Sequence, residues 1–228
     1  LFLAVKQPHL HGVVELLLNA GANVRALHDR ALRAAAATGK EDVVNMLLNR
    51  GADVHACDDE ALRSAAEQGQ TDVVKMLLEE GGDLHACNDE ALRFAAKEGH
   101  TDVVKLLLEE GGDLHACDDE ALRLAAENGH TDIVRMLLAK GAYVHACGDE
   151  ALRSATLLGH SDVVALLRDA GDRFDGSNPA VISEVPPVSL AAEGGSVGPA
   201  QQLETTSHQP SESAASAVQA DKRCRDLL

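Results

Sequence analysis

The sequence predicts an all-α solenoid of stacked helical repeats, and two observations carry the prediction. Residues 121–150 have the sequence ALRLAAENGHTDIVRMLLAKGAYVHACGDE. This block recurs with small changes every 30 residues, so that equivalent arginines stand at Arg33, Arg63 and Arg93. Self-similarity at a fixed period of about 20 to 50 residues is typical of repeat architectures. Each copy also contains two segments that begin with helix-capping residues and end at glycine.

The two segments of one repeat predict two helices that differ in character. Asp119 occupies the N-cap position of the first helix, which Gly129 ends in a position suited to left-handed backbone. Thr131 caps the second helix, and Gly141 closes it. The apolar residues of the second helix cover several of its sides and are Ile133, Val134, Met136, Leu137 and Leu138. Because a surface helix has one apolar stripe, this helix must lie between neighbouring repeats, so the stack forms its own core.

The repeats divide the chain into a domain at residues 1–171 and a tail at residues 172–228. The expected units are residues 1–30, 31–60, 61–90, 91–120, 121–150 and a capping unit, 151–171. Arg168 replaces the leucine of the other units, so the last unit should present a polar outer face. The tail is rich in Pro, Ser and Gly without helical or strand periodicity, and we expect it to be disordered. Its apolar stretches 181–182 and 185–188 are candidate docking motifs.

Composition excludes several classes of function. The formal net charge of −17 argues against a nucleic-acid binder, which needs clustered lysine and arginine. The sequence contains no apolar run of about 18 residues, so we expect no membrane span. Five cysteines without a disulfide framework favour a reducing, intracellular location, cytoplasmic or nuclear. We expect a monomer, and the missing initiator methionine suggests a fragment or a processed chain.

The segments LRLAAENGH, at residues 122–130, and VRMLLAKGA, at residues 134–142, resemble the ankyrin repeat. Two departures accompany the resemblance. The repeat is shorter than the family's unit of about 33 residues, and Glu120-Ala121-Leu122-Arg123 stands where the family has Thr-Pro-Leu-His. The resemblance therefore implies a helical solenoid whose projecting hairpin is truncated to a tight turn, with little or no strand. It also implies a non-catalytic scaffold that binds a protein or peptide on its concave face.

The resemblance places the variable positions of the first helices on that concave face. The partner-binding residues it implies there are Ser64, Glu67, Gln68, Phe94, Lys97, Glu98, Leu124, Glu127 and Asn128. Phe94 and Leu124 would lie side by side as an apolar anchor, or else fill gaps between helices. The loop residues Asp58, Asn88 and Asp118 would line the rim, where negative charge favours a basic partner.

Other recurring residues suggest chemistry, but the repeat geometry favours structural roles. The four His-x-Cys pairs are His55/Cys57, His85/Cys87, His115/Cys117 and His145/Cys147. Packed helices lie about 8 to 10 Å apart, whereas a disulfide needs Cα atoms within about 7 Å and zinc needs convergent ligands. We therefore expect no metal, no cofactor and no enzyme activity. A His/Cys metal-binding or redox protein remains the rival function, as does a targeting module of a larger protein with a further N-terminal domain.

Two further columns have structural interpretations. His100, His130 and His160 follow the glycine between the helices, and the resemblance implies that they form hydrogen bonds in the turn. The arginine column that contains Arg33 and Arg63 stands beside acidic columns such as Asp59/Glu60, which predicts a ladder of charge pairs between repeats.

Overall fold

The computed structural model describes residues 1–7 and 11–174, and these residues contain helices but no strand. The helices are Phe2–Lys6 (α1), His11–Asn19 (α2), Ala26–Ala37 (α3), Glu41–Asn49 (α4), Ala56–Glu67 (α5), Thr71–Glu79 (α6), Ala86–Glu98 (α7), Thr101–Glu109 (α8), Ala116–Glu127 (α9), Thr131–Ala139 (α10), Ala146–Leu158 (α11) and Ser161–Phe174 (α12). The predicted all-α repeat fold is confirmed.

The helices form two layers. The odd-numbered helices from α3 to α11 pack against one another in chain order, and so do the even-numbered helices from α2 to α12. Paired alanines such as Ala95 and Ala96 are fully buried and let adjacent first helices approach closely. Leu92 of α7 and Leu107 of α8 are almost completely buried, as are their equivalents in neighbouring repeats. The core is therefore a continuous column of alanine, leucine and valine, which explains why a chain with 2% aromatic residues can fold.

A left-handed turn stands where the family places its projecting hairpin. Cys57, Asp58 and Asp59 have φ values of 56°, 54° and 57°, and the right-handed part of α5 follows them. The same conformation recurs at residues 27–29, 87–89, 117–119 and 147–149. Left-handed backbone costs roughly 1 to 2 kcal/mol for each non-glycine residue, so other contacts must stabilise the turn.

Arginine side chains supply such contacts. Arg63 donates from Nε to the carbonyl oxygen of Asp58 at 2.9 Å and from Nη2 to that of Cys57 at 3.0 Å. Its Nη1 donates to the carboxylate of Glu90 in the next repeat. The same ion pair joins Arg33 to Glu60, Arg93 to Glu120 and Arg123 to Glu150. The predicted ladder of charge pairs is confirmed, and its arginines also hold the left-handed turns.

The last residue links one repeat to the next in four of the five left-handed turns. The Asp89 side chain is 5% exposed and accepts a hydrogen bond from the backbone amide of Asp113 at 2.8 Å. His85 Nδ1 lies 3.1 Å from the same carboxylate oxygen. The following repeat donates the corresponding amide to Asp29, Asp59 and Asp119. Asp119 immediately precedes the right-handed part of α9, the position predicted for an N-cap, but its carboxylate serves the neighbouring repeat and not its own helix.

The structure confirms the glycines that were predicted to end the helices, but it does not confirm the threonine that was predicted to cap the second helix. Gly129 and Gly141 have φ values of 75° and 99°, as expected of left-handed helix ends. Thr131 is the first residue of α10, and its hydroxyl donates to the carbonyl of Gly129 at 3.4 Å. His130 is the N-cap and forms no side-chain capping bond. The predicted threonine cap is wrong because the hydroxyl faces the turn that precedes the helix.

The last described unit departs from the pattern at its second helix. Helix α12 ends at Phe174, beyond the domain boundary expected at Gly171. Arg168 is exposed, as expected of a terminal unit. The tail from residue 175 onwards lies outside the described residues.

Candidate functional site

The structure groups the predicted first-helix residues on one surface. Ser64, Phe94, Leu124 and Ser154 hold equivalent positions on α5, α7, α9 and α11, which pack side by side. Residues three apart on a helix share a face, so Glu67, Lys97 and Glu127 lie beside this column. We call this surface the first-helix face. Its residues are the column of Ser64, Phe94, Leu124 and Ser154, together with Glu67, Gln68, Lys97, Glu98, Glu127 and Asn128.

Phe94 and Leu124 form the apolar part of this face. Both side chains are half-buried. Both side chains therefore present part of their apolar surface on the first-helix face.

The polar part of the face is negatively charged. Lys97 and Glu98 are exposed and form an ion pair at 2.9 Å. The hydrogen bond to Glu98 and the charge of that carboxylate raise the pKa of Lys97. The charges of Glu67 and Glu127 raise that pKa further, so carboxylates of two neighbouring repeats act on this one ammonium group. Gln68 and Asn128 are exposed beside them.

The next repeat holds the C-terminal end of each first helix in place. His100 Nε2 lies 2.9 Å from the carbonyl oxygen of Glu67, and His130 Nε2 lies 2.8 Å from that of Lys97. His160 makes the equivalent contact with Glu127 at 2.9 Å. These histidines therefore join repeats, a role wider than the predicted bonding within a turn. They join the C-terminal ends of neighbouring first helices along the first-helix face.

The predicted rim residues do not join this cluster. Asp58, Asn88 and Asp118 are exposed, but each is the central residue of a left-handed turn at the other end of its helix. The right-handed part of α5 runs from Glu60 to Glu67, a rise of roughly 10 Å, so Asp58 and Glu67 lie at opposite ends of the helix. Asparagine and aspartate tolerate left-handed backbone better than most residues, so the turn explains their presence.

The structure adds two residues that the predicted site lacked. Leu157 and Leu158 are 86% and 54% exposed at the C-terminal end of α11. They hold the positions that Glu127 and Asn128 occupy on α9, so they extend the apolar part of the first-helix face into the last repeat. The sequence shows both among the variable positions of the first helices, where they diverge from the polar residues of the other repeats.

Comparison with known families agrees with this architecture. The family model for ankyrin repeats, in its three-copy form, matches residues 1–88, 50–118 and 92–178. The chain belongs to the ankyrin repeat family. Ankyrin repeats generally mediate protein–protein interaction and are typically non-catalytic. No curated protein matches this ankyrin chain.

The histidines of the His-x-Cys pairs contact aspartate in this ankyrin structure. His55 and His115 each place Nδ1 3.1 Å from the aspartate of the same turn, Asp59 and Asp119. The described cysteines form no disulfides. Among residues 1–7 and 11–174, no three histidine, cysteine, aspartate or glutamate side chains come together as a metal site would need.

None of the helices in the described part of the chain has the length and apolar character needed to cross a membrane.

Proposed function

We propose that this ankyrin protein is a non-catalytic scaffold that binds a protein or peptide on the first-helix face. The observation that supports this proposal is the apolar strip of half-buried Phe94 and Leu124 and exposed Leu157 beside a negatively charged surface. An apolar centre with a polar surround is the usual anatomy of a protein-binding surface.

The charge of the face favours a partner with basic residues beside its apolar contacts. Glu67, Glu98 and Glu127 offer three carboxylates against the single ammonium of Lys97. Such a surface attracts lysine and arginine, and it repels the phosphates of nucleic acids. The scaffold acts as a monomer inside the cell. The loop residues Asp58 and Asp118 contribute to the same negative potential from the opposite helix ends, and the equivalent residue Asn88 is uncharged.

Affinity capture with the full chain tests this proposal. The parent protein is compared with a Phe94→Ser/Leu124→Ser variant and with a Leu16→Ser control. Leu16 is exposed on α2, in the other helix layer, so the control removes apolar surface away from the face. We expect a captured protein to be lost by the double variant and retained by the control, with affinity falling roughly 30-fold or more for loss of a hot spot.

A second pair of measurements checks the fold and the charge. Circular dichroism should show equal helicity for all three proteins. A captured protein should also bind more weakly to a Glu67→Lys/Glu127→Lys variant and at raised salt. Equal capture by the parent and the folded double variant would refute binding at this face.

A further inference from the structure

Glu67, Lys97 and Glu127 form a row across the first-helix face. They hold equivalent positions near the C-terminal ends of α5, α7 and α9. A histidine of the next repeat lies 2.8 to 2.9 Å from the backbone carbonyl oxygen of each, so the three positions are fixed in the same way. Adjacent packed helices lie about 8 to 10 Å apart, which is about one Debye length at physiological ionic strength. Each carboxylate of the row therefore acts on the charge at position 97.

Lys97 is the one cation among the described residues that form this face, and its ion pair is exposed. Its Nζ lies 2.9 Å from Glu98 Oε1, and the two side chains are 45% and 42% exposed. Residues adjacent in sequence do not face each other on a helix, so the pair orders two long side chains without support from the helix geometry. Exposed pairs of this kind stabilise a protein little. A competing cation can therefore replace Lys97 beside Glu98.

The neighbouring carboxylates of the row are available to such a cation. Glu67 and Glu127 form no salt bridge with the described residues, 1–7 and 11–174. The hydrogen bond between Lys97 and Glu98 raises the pKa of the lysine and lowers the pKa of the glutamate, so both are charged at neutral pH. The cluster thus has three carboxylates around one ammonium group, and that group belongs to the protein itself.

We propose that the ammonium group of Lys97 occupies, in the unbound protein, the place that a lysine or arginine side chain of the partner takes in the complex. Lys97 competes with the partner for Glu98 and repels the incoming cation. It is therefore a residue that lowers affinity and sets the specificity of the face. This inference rests on the proposed function, because it assigns the role of one residue within the same face.

The opposite role, a contact between Lys97 and an acidic residue of the partner, does not fit the surroundings. A carboxylate brought to Lys97 would also meet Glu67, Glu98 and Glu127 within about one Debye length. Like charges placed together disfavour a complex, so the cluster rejects an acidic side chain and accepts a basic one.

The expected effect follows from removing one charge beside the bound cation. Two unit charges about 5 Å apart in a medium close to water repel each other enough to change an affinity roughly fourfold. Release of Glu98 from its ion pair adds a contribution of similar or smaller size. Lys97→Gln should therefore strengthen the binding of a cationic segment roughly three- to tenfold.

Fluorescence anisotropy with the full chain and two labelled synthetic peptides tests the proposal. In the first peptide leucine and arginine alternate, and in the second citrulline, a neutral analogue, replaces each arginine. We expect the parent to bind the arginine peptide more tightly than the citrulline peptide, and Lys97→Gln to increase the affinity for the arginine peptide alone. Lys97→Arg keeps the charge and should bind within about twofold of the parent. Lys105→Gln removes the same charge from an exposed site on α8, in the other helix layer, and should change the affinity less than about twofold.

Four outcomes would overturn the proposal. They are an affinity for the arginine peptide that Lys97→Gln leaves unchanged or lowers, an equal gain from Lys105→Gln, an equal gain for the citrulline peptide, and no binding of the arginine peptide by the parent. The gain from Lys105→Gln would show an effect of net charge and not of competition at the face. Circular dichroism of each variant checks that the repeats remain folded.

The Phe94→Ser/Leu124→Ser variant separates failure of this inference from failure of the proposed function. If that variant loses the captured protein while Lys97→Gln brings no gain for the arginine peptide, binding at the face stands and competition by Lys97 is refuted. If the folded double variant binds both the captured protein and the peptide as the parent does, the proposed face is refuted together with the role of Lys97.

Discussion

Replacing Asp89 by alanine should weaken the contact between two central repeats. The side chain is 5% exposed, accepts the amide of Asp113 at 2.8 Å and lies 3.1 Å from His85 Nδ1. A hydrogen bond to a charged group contributes about 1.5 to 3 kcal/mol. Alanine is also less tolerant than aspartate of the left-handed backbone at φ 55°, where strain costs up to about 1 kcal/mol more. The free energy of unfolding should therefore fall by about 3 kcal/mol.

Urea unfolding followed by circular dichroism measures this loss. With a slope of about 2 to 3 kcal/mol per molar urea, the midpoint should fall by roughly 1 to 1.5 M. Glu109→Ala removes the same charge from an exposed site on α8 and should change stability by less than about 0.5 kcal/mol. Asp89→Asn keeps an acceptor oxygen and should give an intermediate value. A loss below about 1 kcal/mol for Asp89→Ala, or an equal loss for Glu109→Ala, would refute the role of this carboxylate.

Three further predictions use the same unfolding assay. Gly69→Ala should cost about 1 to 2 kcal/mol more than Gly51→Ala, because both glycines have positive φ but only the methyl at Gly69 meets the ring of His100, at 2.5 Å. Equal losses would contradict this steric reason. Arg93→Lys keeps the charge but removes the planar set of donors that holds the left-handed turn, so stability should fall by about 1 to 2 kcal/mol, and no change would exclude that role. Burial raises the pKa of Asp29 above 3.8, so its stabilising contribution is complete below pH 3.8 and is lost as the pH rises through the raised value. Asp29→Asn should reduce this decline, and an unchanged dependence of the midpoint on pH would contradict it.

The layered core was predictable because it depends on local periodicity. The spacing of Leu92 and Leu107 within one repeat is enough to place both in the core, since every neighbour carries the same residues. The charge ladder was also predictable, because Arg63 and Glu90 recur in fixed columns. The concave site residues were predicted from family resemblance, and the structure brings most of them onto one face while their role in binding is a proposal.

The predictions that failed concern side chains that could act within their own helix or across repeats. Thr131 and Asp119 are both suited to capping, and sequence shows the capping chemistry but not the direction of the side chain. Asp119 accepts the amide of Tyr143, 24 residues later in the chain. Such a contact exists only once two repeats are stacked.

The sequence by itself determined the repeat pattern, its helical content and the aliphatic core, because these follow from composition and from a period that the copies share. Only the tertiary structure decided the three-residue left-handed turn and the exposure of Leu157. The physical reason is that each depends on what the adjacent repeat supplies. A neighbour compensates the strain of the turn through arginine and aspartate contacts, and at the last described repeat that neighbour is absent from residues 1–7 and 11–174.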